Sequence, residues 1–135
     1  MDGVAAVRAV LTVDAGLTTL VPAANIISGP ASLGTLLPFV MLESVSKNDR
    51  NIPAPGGQRH VTERVQVTVV ARDYPQQKAV LRAVRRAAAD QLYPVVTGIS
   101  GVTIHTDSAG PDFFDDVYSG WRGSQDFRVG YTEER

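Results

Sequence analysis

Between Val61 and Arg72 the residues Val61, Val65, Val67, Val69 and Ala71 alternate with Thr62, Arg64, Gln66 and Thr68. Period two is the mark of a strand with one buried face. The outer face is left to solvent or to another subunit. From Tyr74 to Leu92 the period changes: Val80, Leu81, Val84, Ala88 and Leu92 recur at helical spacings, predicting an amphipathic helix. Pro75 suits its first turn, where a missing N–H costs nothing. A second stripe, Val4, Val7 and Leu11, predicts a helix from about Gly3 to Val13, with Asp2 as its N-cap.

Leu17, Leu20 and Val21 suggest a short turn ended by Pro22. The run NIISGPASLGTLLP then reads as irregular chain with a brief extended piece at Ile26 and Ile27. Phe39 to Val45 predicts a strand apolar on both faces at its start, and two more strands are expected near Val102–Thr106 and Gln125–Tyr131. The element order is α, short β, β, β, α, β, β. Such an order predicts an α+β fold, a mainly antiparallel β-sheet with two helices packed on one face, with residues 1–135 forming one domain.

Two stretches are surplus to that plan. The first, SKNDRNIPAPGGQRH at Ser46–His60, separates two central strands, although a tight hairpin turns in about two to five residues. It is expected to project as a hairpin arm, residues 46–60, and Arg50, Asn51 and Ile52 are its candidate contacts. They supply charge, amide hydrogen bonds and one apolar anchor. The second, DSAGPDFFDDVYSGWRG at 107–123, reads as a long loop, yet loops normally keep large apolar groups out of water. Its Phe113, Phe114, Tyr118 and Trp121 are expected to be partly exposed in a free subunit and buried on assembly.

Charge narrows the partners. The 135 residues carry a formal net charge of −1, too little excess of cations for a general nucleic-acid or anionic-membrane surface. One local exception is the far side of the second helix, where Lys78, Arg82, Arg85 and Arg86 are neighbours at spacings of three and four. It reads as a solvated face or as a site for an acidic partner or phosphate backbone. No run reaches the apolar length of a membrane span. The N-terminus is not expected to be an exported leader, since it has an acidic residue where a basic region would stand.

Catalytic patterns are weak. Cysteine is absent, which removes disulfides, thiolate nucleophiles and cysteine-based metal sites. His60 and His105 are the only histidines, and Asp107, Asp112, Asp115 and Asp116 lie near the second. Yet no HxH or HExxH spacing puts two ligands on one face. Ser108 beside His105 lacks a GxSxG elbow, and no glycine pattern forms a phosphate loop. Neither a metal nor a cofactor is expected; a small enzyme using His105 and nearby carboxylates stays as an alternative of another class.

The succession VRAVLTVDAGLTTLVPAANIISGPASLGTLLPFVMLESVS, then a loop, then ERVQVTVVARDYPQQKAVLRAVRRAA, then GVTIHTDSAGPDFFDDVYSGWRGSQDFRVGY resembles the tail completion, or tail terminator, proteins of long-tailed bacteriophages and prophages. The carriers are the helix ending in LTTLV, the LPFV entry to a strand, the VQVTVVA strand leading into a helix, and the closing DFRV strand. Ser32-Leu33-Gly34 stands where many members have Pro-Gln-Gly. The resemblance implies a virion protein without enzymatic activity or cofactor, a homo-oligomer, usually a hexameric ring, assembled in the bacterial host cytoplasm. Such a ring caps the tail tube at the tail–neck junction, stops its polymerisation and joins the tail to the head connector. Its implied partners are the major tail tube protein and a head-completion protein, with genomic DNA passing through the lumen without sequence-specific binding and no membrane involved. A head-completion stopper or adaptor docked on the portal is the alternative within the same context.

Overall fold

The computed structural model describes residues 2–51, 56–92 and 94–134. Helix α1 spans Gly3–Thr12, and the Asp2 carboxylate accepts from the Ala5 N–H at 3.0 Å. That bond satisfies a donor which the first helical turn leaves without an intrahelical partner. Asp14 caps the short helix α2, Ala15–Thr18, in the same way through the Leu17 N–H. A single 3-10 turn and strand β1, Ile26–Ser28, follow. Next come β2 (Phe39–Arg50), β3 (Gln58–Ala71), helix α3 (Tyr74–Ala88), β4 (Gln91–Leu92), β5 (Ile99–Ala109), β6 (Phe113–Asp115) and β7 (Gly120–Glu134).

Among the described residues these strands form one sheet in the order β1-β2-β3-β7-β5-β4, with β6 also on β7. β1 runs parallel to β2, and every other pairing is antiparallel. The fold is α+β. β3 and β7 form its axis, paired from Gln58↔Glu134 to Ala71↔Trp121. Both long helices contribute to one core: Val7 and Leu11 of α1 and Val80 and Val84 of α3 join Val65, Val67, Val69, Val102, Phe127 and Val129 in one buried cluster. Each fully buried Val or Phe contributes about 1.5–3 kcal/mol relative to an exposed one.

The structure departs from the sequence pattern in four places. Helix α3 stops at Ala88 instead of reaching Leu92, because Asp90 has a φ of 56° and Gln91-Leu92 pair with β5. A left-handed residue cannot continue a right-handed helix. The outer sheet face is only partly open, since Ala31, Phe39, Met41 and Val70 form a second buried cluster there, with Tyr118 and Leu37 packed against it. The third departure is the arm.

Expected as a projecting hairpin arm, a long loop beyond strands that end at Val45 and begin at Val61, it is a hairpin whose two sides continue those strands. β2 continues to Arg50, β3 begins at Gln58, and Ser46↔Arg64 through Arg50↔His60 are paired. The connection is only residues 51–57. Asn48, Asp49 and Arg50 are therefore ladder residues, and a bulge between Ser44 and Ser46 resets the register. Ile52 lies outside the described residues. The long loop expected over 107–123 likewise contains the end of β5, all of β6 and the start of β7, leaving only 110–112 and 116–119 irregular.

Glu63 is the residue that the period-two pattern passes over. It sits on the inward face of β3, fully buried, and its Oε1 accepts from the Gly3 N–H at 3.0 Å and the Tyr131 hydroxyl at 2.9 Å. The Lys47 ammonium lies 3.8 Å away. Gly3 is required here: a Cβ would stand 2.9 Å from the Glu63 Cδ. The free N–H at the start of α1 and its positive dipole end are what make a carboxylate tolerable in this core.

Candidate assembly surfaces

The aromatics of 107–123 are held by two aspartates. Asp112 accepts from the Tyr74 hydroxyl at 3.0 Å and the Gln77 amide at 2.8 Å, and pairs with Lys78 at 2.5 Å, which ties residues 110–112 to α3. The Gln77 bond, followed by Lys78, holds its carboxyl below the usual carboxylate range. Asp115 accepts from the backbone of Val117 and Tyr118 at 2.9 and 3.3 Å and from Arg122 at 3.0 Å. Burial pushes its pKa up, but Arg122 and the two N–H groups outweigh burial, and the carboxyl stays below its ordinary value. Both loops are therefore fixed by charge-assisted hydrogen bonds.

On that support the four sequence-predicted aromatics separate. Trp121 lies edge-on between Tyr74 and Phe114, with centroids 5.6 and 5.9 Å away. Phe113, opposite Arg122 in the ladder, has the Arg122 guanidinium 5.7 Å above its ring. Phe113 and Phe114 remain 47% and 48% exposed. Tyr118 turns away. Its ring meets Phe39 at 5.0 Å, its hydroxyl donates to the Ala31 carbonyl at 2.8 Å, and so it pins the 29–38 segment to the sheet. Sequence reasoning missed Leu33, Leu36 and Val117, all more than two-thirds exposed at 73%, 77% and 69% on these two adjoining segments. A signal was present in three large apolar residues standing in Gly- and Ser-rich loops.

The basic stripe also divides. Lys78 is committed to Asp112 and lies 5.2 Å from the Tyr74 ring centroid, and Arg85 donates to the Gln125 side chain at 3.2 Å. Arg82 and Arg86 are exposed, and among the described residues they make no ion pair. They are the free cations of α3. At the opposite end of the sheet, Arg50 and Asn51 are exposed where β2 ends.

Residues weighed for catalysis are not brought together. His105 pairs with Asp90 at 2.9 Å on the surface, whereas Ser108 bonds to Arg64 and Asp126. Among the described residues no three metal-ligating side chains form a group. No helix among them is long and apolar enough to cross a membrane.

Comparison with known proteins supplies what the geometry leaves open. The family model for tail completion protein gp17 matches residues 5–132. The chain belongs to the tail completion protein family. No curated protein matches it significantly. A chain in the solved structure of the virion of a native gene transfer agent particle shares its fold at a TM-score of 0.70 and 18% identity, covering 98% of this chain and 99% of that one. The tail completion protein is thus a component of bacteriophage-type virions with a structural role in tail assembly, and its partners are other virion proteins.

Proposed function

We propose that this tail completion protein is a tail terminator. Copies assemble into a hexameric ring that binds the end of the finished tail tube, stops its polymerisation and presents a surface to the head connector. The family match over residues 5–132 carries the reading. It is supported by the aromatic end of the sheet, where Phe113 and Phe114 stay half-exposed on loops fixed by Asp112 and Asp115.

In this reading Phe113, Phe114 and Trp121, with Tyr118 holding the adjoining segment, form the hydrophobic contact to the tube or to a neighbour. Arg50 and Asn51, with Ile52 beyond them, reach an adjacent subunit. Arg82 and Arg86 meet an acidic surface, and genomic DNA passes through the ring without base-specific contact. The ring sits at the tail–neck junction, between the major tail tube protein and a head-completion protein, after assembly in the host cytoplasm.

The test is to polymerise the major tube protein with and without this protein and measure the tubes by electron microscopy. Tubes should stop growing with a ring at one end. Growth that continues unchanged refutes the reading, and binding to portal complexes but not to tubes makes the protein a head-side stopper instead.

A further inference from the structure

The sheet has an edge left open on the arm side. β1 pairs with β2 only at Val40, Met41 and Leu42. Among the described residues no other strand lies on that side, so from Glu43 to Arg50 the outer edge of β2 has no partner. These eight residues are all exposed, although Val61, Glu63 and Val65 opposite them in β3 are buried. In an antiparallel strand every second residue aims its N–H and C=O away from the partner strand. At about 3.4 Å per residue the open edge is roughly 27 Å long.

Proteins that stay monomeric keep such edges short, cover them or place proline in them. Here the stretch ESVSKNDR contains no proline. Its bulge at Val45 and its four charges limit pairing with arbitrary strands, and Ser46–Arg50 beyond the bulge runs in unbroken register. The opposite border of the sheet is open as well. β4 covers β5 only at Thr103 and Ile104, which leaves His105–Ala109 without a partner on its outer side among the described residues. One copy therefore carries two different open edges on opposite borders of one sheet.

Edges of this kind join head to tail, and a head-to-tail contact that repeats by rotation closes into a ring. Charge fits the same pairing. Arg50 lies in register with His60, on the face that also holds Arg64, and Asp107 reaches that face through Arg64 and Arg128. We infer that the open edge Glu43–Arg50 receives the His105–Ala109 edge of a second copy, so that one β-sheet runs from subunit to subunit. The inference rests on the ring reading and adds the surfaces that close it.

Hydrogen exchange on the full-length protein, before and after assembly on tail tubes, tests it. Alternate amides within Glu43–Arg50 and His105–Ala109 should exchange at least tenfold more slowly once assembled. Assembly with unchanged exchange at both segments overturns the edge pairing and leaves the ring reading standing. Protection of β2 alone, as a symmetric pairing of two β2 edges would give, overturns the head-to-tail arrangement. Failure to self-associate with or without tubes overturns the ring reading and the inference together.

A proline pair gives an independent readout. Asn48→Pro and Asp49→Pro remove adjacent amides, one aimed at β3 and one at the open edge. The variant that keeps the parental melting temperature has lost the edge donor, and it should fail to form rings in light scattering. Parental assembly by that variant sinks the inference.

Discussion

Inside the core the Tyr131 hydroxyl donates to the Glu63 carboxylate at 2.9 Å, across the β3–β7 pair. Both side chains are fully buried, and Glu63 Oε2 has no partner among the described residues. Removing the hydroxyl leaves a buried carboxylate with one donor fewer. Tyr131→Phe should lower stability by about 1–3 kcal/mol, the cost of an unmade bond to a buried polar group. An unchanged urea midpoint at unchanged m-value would show that the bond contributes nothing.

The same contact sets an alkaline limit. Burial, then the Glu63 bond, raises the pKa of Tyr131 well above its ordinary value. The folded state keeps its proton at pH values where the unfolded chain, with tyrosine near about 10, has begun to release it. The contribution is therefore complete below the unfolded pKa and falls as pH rises beyond it. Stability should decline above pH 10 with a steeper slope in the parent than in Tyr131→Phe; parallel slopes would contradict the assignment.

Asp112 works in the opposite direction. Its depressed pKa means that its contribution is present above the unfolded carboxylate value and is lost as pH falls through the folded one. Trp121, packed on Tyr74 and Phe114, reports on that end of the sheet. Acidification should shift Trp121 emission before the far-ultraviolet signal of the whole fold changes. Asp112→Asn should show the shifted emission already at neutral pH, and a parental spectrum there would disconnect Asp112 from the aromatic cluster.

Gly123 faces the same tether. A Cβ there would collide with the Gln77 amide and stand 2.8 Å from both Asp112 Oδ1 and Leu81 Cδ1. Gly123→Ala should break the Gln77–Asp112 bond and destabilise by about 1–3 kcal/mol, the range for overpacking a tight site. A melting temperature within a degree of the parent would show that α3 can shift to make room.

Val67 probes the main core. It is fully buried between α1, α3 and the sheet, and Val67→Asp should cost about 4 kcal/mol or more because the charge would have no partner. Retention of the parental urea midpoint would mean that the aspartate escapes to solvent and that β3 presents its other face to the helices.

What the sequence determined by itself is local. Asp2 and the stripe Val80–Val84 specify a helix start and a helix face because capping and amphipathicity act within a few residues. The alternation Val65-Val67-Val69 specifies a strand and its inward face for the same reason. Where a residue's role depends on a distant partner, the pattern was silent. The alternation passes over Glu63, and only the arrival of the Gly3 amide 60 positions away and Tyr131 68 positions away makes it a core residue.

The excursions show the same division. Polar Ser46–Arg50 reads as loop because it buries nothing, yet pairing with β3 makes it strand, since a ladder needs backbone partners and not apolar side chains. Phe113, Phe114 and Trp121 could be recognised in the sequence as surplus apolar residues. Their separation from Tyr118, and the anchoring of both loops by Asp112 and Asp115, were decided by tertiary structure, because an ion pair or a ring contact depends on where the chain returns in space.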